Sequence, residues 1–348
     1  MVIPQFPLGR SIRSAICIAG PLGVGWATGS YITAIWIVMG TLVAAAGESG
    51  SDSYGIRLRS LAKAAPIAAA GYLTGYLTLL PYPALIAAMT VVGFGAGVVN
   101  SLGASFPAAT MQFLLTAALG IGLSDVITSP YWQISLLYLS GIILYAAALF
   151  IEAALKRSQT QLQDTEPFNP GISSGFATAS AGMESTNTPF VSWAREPLAI
   201  ALCVGISYSA RYWTDDSHWF WIPLTVALVM TPRLGSVYSR SIGRICGTVI
   251  GVIIGILAVR TLSDGTQMIA GIATLALLLP WARDVSYAAK AVIMTPLILI
   301  IVDLIQPDVG INIYAWERLT DTITGGLIVI IIAFIAYRSS RSAKRHFA

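Results

Sequence analysis

The stretch HWFWIPLTVALVMTPRLGSVYSRSIGRICGTVIGVIIG, residues 218–255, predicts two membrane helices joined by a short basic hinge. The first helix opens with His218, Trp219 and Trp221, and aromatic rings of this kind are enriched where a membrane meets water. Thr231 and Pro232 end that helix, because proline cannot continue the helical hydrogen bonds. The chemistry of the stretch is therefore concentrated in the arginines that follow the hinge.

One face of the second helix combines two cations with a row of small residues. Arg240, Arg244, Gly247, Gly251 and Gly255 are spaced by three or four residues, which puts them on one side of a helix. Small residues in such a row let a neighbouring helix approach closely, and the cations beside them attract anions. The face thus predicts a close helix seam with an anion-attracting end.

A sequence pattern in this stretch resembles a known family. An aromatic residue before Trp-x-Pro-Leu-Thr, then Thr-Pro, then Arg-x-x-x-Arg-x-x-Gly-Thr-x-x-Gly resembles the second half of the fusaric acid resistance and aromatic acid exporter family. The plant aluminium-activated malate transporters are related to that family. The resemblance returns at Arg318 to Gly325, RLTDTITG. It implies proton-coupled export of aromatic acids. Larger soluble regions often follow each membrane half in the family, and this chain departs from that pattern.

The composition indicates an all-α polytopic membrane protein. Hydrophobic residues make up 56% of the 348 residues and charged residues only 10%, and the mean hydropathy is +0.75. Long uncharged runs without polar alternation favour helices over a barrel. The three cysteines stand alone in apolar runs, so neither a disulfide framework nor a metal site is predicted. Enzyme and nucleotide-binding motifs are absent from the sequence, so no cofactor is expected.

Hydropathy divides the chain into two membrane halves. Residues 1–155 and 194–348 are each predicted to hold six transmembrane helices, separated by a flexible cytoplasmic linker at 156–193 that is rich in polar residues. The predicted spans are 13–29, 31–47, 61–80, 83–102, 106–123, 131–155, 197–213, 219–231, 241–262, 267–281, 287–305 and 319–337.

The two halves repeat each other at an offset of about 184 residues. Trp36 corresponds to Trp221, and Arg59 and Lys63 correspond to Arg240 and Arg244. Because six is an even number, both copies enter the membrane from the same side, as parallel repeats related by a pseudo-twofold axis along the membrane normal. The sequence therefore predicts a pseudo-dimer within one chain, and a homodimer of such chains is an open alternative.

The basic residues predict the orientation. Of the 20 Lys and Arg residues, only Arg211, Arg260 and Arg318 fall in predicted outer segments if the amino terminus is inside. Such a bias puts both termini and the linker in the cytoplasm, and the resemblance implies a bacterial inner membrane. Membrane lipids are expected partners of the basic tail, and nucleic acid is not an expected partner.

The candidate site residues follow from charge and position. Arg240, Arg244, Arg59, Lys63, Lys290 and Arg318 are predicted to line an anion path, with the first four near its cytoplasmic mouth. Asp321, three residues after Arg318, is the candidate for proton coupling. The seam glycines and Gly325 are predicted to serve helix packing. Arg240, Arg244, Arg59 and Lys63 have a plainer interpretation as membrane-surface anchors, and the Arg318 and Asp321 pair has one as a structural salt bridge.

These residues favour a small organic anion as substrate. The predicted function is proton-coupled efflux of aromatic or other hydrophobic carboxylates, with coupling and direction taken from the resemblance alone. A passive organic-anion channel would need the same basic path without a proton carrier. A non-transporting membrane scaffold would need neither.

Overall fold

The protein is mostly helical over the residues that the computed structural model describes, which are 5–48, 52–101, 107–124, 129–163, 195–214, 218–230, 234–262, 264–305 and 310–346. Twelve α-helices and no strand lie within these ranges. Short 3-10 turns, Thr74–Leu79 and Ser209–Tyr212, extend the third and the seventh helix. The helices are α1 (Leu8–Thr28), α2 (Tyr31–Gly47), α3 (Tyr54–Leu73), α4 (Tyr82–Ser101), α5 (Pro107–Gly122), α6 (Tyr131–Gln163), α7 (Arg195–Tyr208), α8 (Trp221–Val229), α9 (Leu234–Thr261), α10 (Gly265–Val285), α11 (Tyr287–Ile305) and α12 (Ile311–His346).

Each helix overlaps one predicted span, but several boundaries differ. Helix α3 begins at Tyr54 instead of residue 61, and α9 begins at Leu234 instead of residue 241. Helix α6 continues to Gln163, so the first part of the predicted linker is helical, and 164–193 lie outside the described residues. Asp284, predicted in a loop, lies in the last turn of α10. Hydropathy marks only the apolar part of a helix, whereas backbone hydrogen bonds carry the helix into polar sequence.

Six of the helices are long and apolar enough to cross a membrane. They cover Tyr82–Ser101, Tyr131–Lys156, Val237–Thr261, Gly265–Val285, Tyr287–Leu304 and Ile311–Ala336. Helices α1 and α3 carry basic residues, and α2, α5, α7 and α8 are shorter than a full span. The chain is a multi-pass membrane protein, and the number of twelve crossings stays a prediction.

The helices of the two halves pack against each other. Helix α1 packs on α10, α4 packs on α7, and α5 packs on α8. Within the halves, α3 packs on α5 and α6, and α9 packs on α11 and α12 in the same order six helices later. The largest buried apolar cluster joins Met89 of α4 and Leu114 of α5 to Val204 of α7 and Val226 of α8. Buried apolar residues of the two halves thus pack together in one cluster.

Local sequence determines how the tenth helix begins. Asp264 stands at the N-cap of α10 and accepts hydrogen bonds from the backbone N–H of Gln267 and the hydroxyl of Thr266. These hydrogen bonds favour the carboxylate and hold the pKa of Asp264 below its usual range. The cap satisfies an otherwise unpaired N–H group in the first turn.

Candidate functional site

An apolar cavity of about 190 Å³ lies between the two halves. Side chains from α2 and α5 of the first half line it together with α8 and α11 of the second. Trp36 and Trp221, the corresponding tryptophans of the two halves, both face it. Residues of both halves therefore form the cavity.

Arg318 of α12 introduces a positive charge into this apolar lining. Its side chain is 1% exposed, and its guanidinium carbon lies 5.0 Å from the centre of the Trp221 ring. Nε and Nη2 of Arg318 have no hydrogen-bond partner among the described residues. A buried polar group without a partner costs about 1–3 kcal/mol, and more when it is charged, so an anion in the cavity would offset that cost.

A cluster of cations surrounds Tyr287 on α11. Arg244, 2% exposed, and Arg318 both interact electrostatically with its phenol, and the guanidinium carbon of Arg240 lies 5.6 Å from its ring centre. Lys290 lies one turn further along α11 and donates to the carbonyl of Ala46, 3.1 Å away. The structure thus brings together Arg240, Arg244, Lys290 and Arg318 from three helices, four of the six predicted anion-path residues.

Arg244 is buried within α9, ten residues beyond the start of that helix at Leu234. Nε and Nη2 of Arg244 have no hydrogen-bond partner among the described residues, as for Arg318. Two buried guanidinium groups therefore offer N–H donors to an anion.

Arg59 and Lys63 lie apart from this arrangement. Both side chains are exposed on α3, which packs mainly on α5 and α6, whereas α9 packs mainly on α11 and α12. The expected pairing of Arg59 and Lys63 with Arg240 and Arg244 required α3 to face α9. The cross-half contacts of the fold run instead through other helix pairs, because α1 and α4 pack on α10 and α7.

Asp321 lies beside Arg318, buried at 3% exposure, and the two side chains interact electrostatically. It also lines an open groove of about 570 Å³ on the other side of α12, together with Glu317 and Trp316. Helix α12 therefore separates a groove that contains carboxylates from a cavity that contains a guanidinium group.

The seam glycines face α11. A Cβ atom on Gly247 would lie 2.6 Å from the carbonyl oxygen of Ala288, and one on Gly251 would lie 2.7 Å from Cβ of Thr295. Gly255 approaches Leu299 in the same way. The backbone of α9 can reach α11 this closely only because these positions lack side chains.

Gly325 lies against a different helix. A Cβ atom there would lie 2.9 Å from the carbonyl oxygen of Ile222 and from Cβ of Thr225, both on α8. The missing side chain lets α12 approach α8, and Trp221 of α8 carries the ring that the Arg318 guanidinium covers. Gly325 thus helps to position Arg318 against the cavity.

An ion-pair network in the first half was not predicted. Arg13 of α1 pairs with Glu48, 2.6 Å away, and with Glu152 of α6, while Arg57 lies 2.8 Å from Glu48. Tyr145 also donates to Glu48. A carboxylate within or next to a long apolar run, as at positions 48 and 152, is the signal that could have revealed it, because such a group needs a cation nearby.

A second unpredicted pair joins His218 to α12. Nδ1 of His218 lies 2.6 Å from Oε2 of Glu317, and the imidazole ring packs against Trp221 and Tyr314. Two residues 99 positions apart carry no mutual signal in the sequence. His218 lines the same cavity as Arg318.

Comparison with known proteins matches the second half of the chain. Residues 197–332 match the family model described as fusaric acid resistance protein-like. The chain is also 25% identical over 158 residues to a protein of Synechocystis sp. described as uncharacterized protein slr1298. That match covers 45% of this chain and 20% of the relative, so the chain spans about a fifth of that protein's length. No solved structure matches the chain. The resemblance to the fusaric acid resistance family is thus confirmed, for residues 197–332.

Proposed function

We propose that this protein is a proton-coupled inner-membrane transporter that exports aromatic or other hydrophobic carboxylates. The observation that carries the proposal is the buried guanidinium group of Arg318 in an otherwise apolar cavity. The carboxylate of a substrate pairs with Arg318, and its ring packs among the indole rings of Trp36 and Trp221. The match of residues 197–332 to a resistance family supports a role in efflux.

The size of the cavity suits a single aromatic ring. An apolar cavity of about 150 Å³ is large enough to bind benzene. The volume of about 190 Å³ therefore accommodates a benzoate-sized anion with its carboxylate toward Arg318. The hydrophobic lining favours the ring, while Arg318 selects the anion over a neutral analogue.

The other cations form the route to this cavity in our proposal. Arg244, Arg240 and Lys290 around Tyr287 hold the anion between the cytoplasm and Arg318. Arg59 and Lys63, exposed on α3, act only as charges that attract anions to the cytoplasmic mouth. Asp321 beside Arg318 is the proposed proton-coupling group.

The proposed architecture is two parallel six-helix repeats with cytoplasmic termini in a bacterial inner membrane. The helix contacts support it, because the same contacts recur six helices apart. Helix α3 packs on α5 as α9 packs on α11, α2 packs on α6 as α8 packs on α12, and α1 packs on α10 as α7 packs on α4. Both repeats line the cavity, so in this proposal one chain forms the substrate site. Association of two chains is not required by this arrangement.

The test is flux of benzoate and a panel of aromatic acids in reconstituted vesicles, with and without a pH gradient. Accumulation that follows the gradient is the expected result, whereas flux independent of the gradient indicates a passive channel. Absence of flux for every anion indicates a scaffold. In Arg318→Gln, the loss of a charge-assisted hydrogen bond of about 1.5–3 kcal/mol weakens benzoate binding about 10-fold to 160-fold.

Arg260→Gln is the matched control for this variant. Arg260 is an exposed arginine on α9, away from the cavity lining. Arg260→Gln removes one positive charge, as Arg318→Gln does, so benzoate flux at the wild-type level is expected for it. Equal loss of flux in both variants would contradict a specific role for Arg318.

A further inference from the structure

The pair formed by His218 and Glu317 lies between the groove and the cavity. The His218 ring lines the cavity, and Glu317 lines the groove on the other side of α12. The two side chains meet at 2.6 Å, from Nδ1 of His218 to Oε2 of Glu317. This hydrogen bond thereby joins the imidazole in the cavity lining to a carboxylate in the groove lining.

We infer that His218, held by Glu317, binds one proton whenever an organic anion occupies the cavity. This inference rests on the proposed function and names a proton site that is distinct from Asp321. The proton is taken up from the buffered solvent and forms an N–H bond at Nε2 of the imidazole, while Nδ1–H donates to Glu317, which stays a carboxylate. The occupied state then holds two pairs of opposite charge, imidazolium with carboxylate and guanidinium with substrate.

Electrostatics explain why the two binding events are linked. The His218 imidazole and the Arg318 guanidinium both pack against Trp221, whose ring centre lies 5.2 Å from the imidazole centre and 5.0 Å from the guanidinium carbon, so the charge at the substrate site lies near the imidazole. In the empty cavity, electrostatic repulsion by the Arg318 cation disfavours the positively charged form of the nearby His218 imidazole. A bound carboxylate adds its negative charge to that of Asp321 beside Arg318 and so weakens that repulsion further. By thermodynamic reciprocity, a protonated His218 tightens anion binding by the same factor.

The surroundings of the imidazole contain further titratable groups. On α12 these are Tyr314, whose ring centre lies 5.1 Å from that of His218, together with Glu317 and Arg318. On α11, Asp303 interacts electrostatically with Tyr314. Trp221 and Phe220 shield the ring on its own segment.

Calorimetric titration of benzoate into the purified full-length protein tests the inference. Titrations at pH 7 in two buffers with different ionisation enthalpies give the number of protons taken up on binding. Uptake of up to one proton is expected for the wild type, with benzoate affinity falling by up to about tenfold per pH unit as the pH rises. In His218→Gln and in Glu317→Gln, the uptake and the pH dependence are expected to be lost.

Two variants separate the alternatives. His346→Gln removes the other of the two histidines and is expected to keep the proton uptake. Proton uptake that survives in His218→Gln but is lost in Asp321→Asn would assign the proton to Asp321 and overturn the inference. Benzoate binding without proton uptake by the wild type would also overturn it, while leaving anion transport in place. Absence of benzoate binding would refute the proposed function itself, and the inference with it.

Discussion

The contact between α9 and α11 can be tested by adding one methyl group. In Gly251→Ala the new Cβ would lie 2.7 Å from Cβ of Thr295 and 3.0 Å from the carbonyl oxygen of Val292. Carbon atoms in contact normally lie about 3.5–4.0 Å apart, so the helices must separate by roughly 1 Å. Gly243→Ala on the same helix is the matched control, because its nearest atoms are 3.6 Å away.

The two substitutions share one energy term and differ in another. Replacing glycine by alanine within a helix stabilises it by about 1 kcal/mol, and this term applies to both variants. Overpacking costs about 1–3 kcal/mol and applies only to Gly251→Ala. The difference between the variants is therefore about 1–3 kcal/mol, or about 5-fold to 160-fold in the ratio of folded to unfolded protein.

Unfolding of the purified protein by SDS in mixed micelles, followed by far-ultraviolet circular dichroism, measures this difference. Gly251→Ala should unfold at a lower fraction of SDS than Gly243→Ala. Equal midpoints for the two variants would show that α9 and α11 do not approach as closely as the 2.7 Å contact requires. Benzoate flux should fall in Gly251→Ala as well, because α11 carries Tyr287 and Lys290 of the cation cluster.

Three further predictions concern charge and orientation. Arg244→Gln should weaken benzoate transport about 10-fold or more, because it removes a buried cation with unpaired N–H groups, while folded protein is still recovered. Unchanged transport kinetics in a well-expressed variant would favour the interpretation of Arg244 as a membrane-surface anchor. Asp321→Asn should abolish accumulation driven by the pH gradient yet spare passive benzoate exchange, and continued uphill accumulation would make the Asp321 and Arg318 pair a structural bridge. A cysteine introduced at Ser173, outside the described residues, should not react with an impermeant thiol reagent applied to intact cells, since the distribution of basic residues predicts a cytoplasmic linker. Labelling from outside would show that the orientation is the opposite one.

The sequence by itself determined the class of protein and the places of its helices. Hydropathy and helical periodicity are local properties, so each of the twelve helices overlaps a predicted span. The same periodicity correctly put Gly247, Gly251 and Gly255 on one helix face, which the structure directs at α11. The motif around Arg240 and Arg244 also sufficed for the family resemblance, because a motif is read along the chain.

Only the tertiary structure decided which charged groups meet. Periodicity assigns a residue to a face of its helix, but the neighbour of that face depends on how all the helices pack. The structure therefore gathers Arg244 and Arg318 around Tyr287 while Arg59 and Lys63 stay exposed on α3. The pairing of His218 with Glu317 follows from the packing of the segment before α8 against α12, a contact between residues 99 positions apart. No property of either local sequence encodes such a contact, because it depends on the free energy of the whole helix assembly.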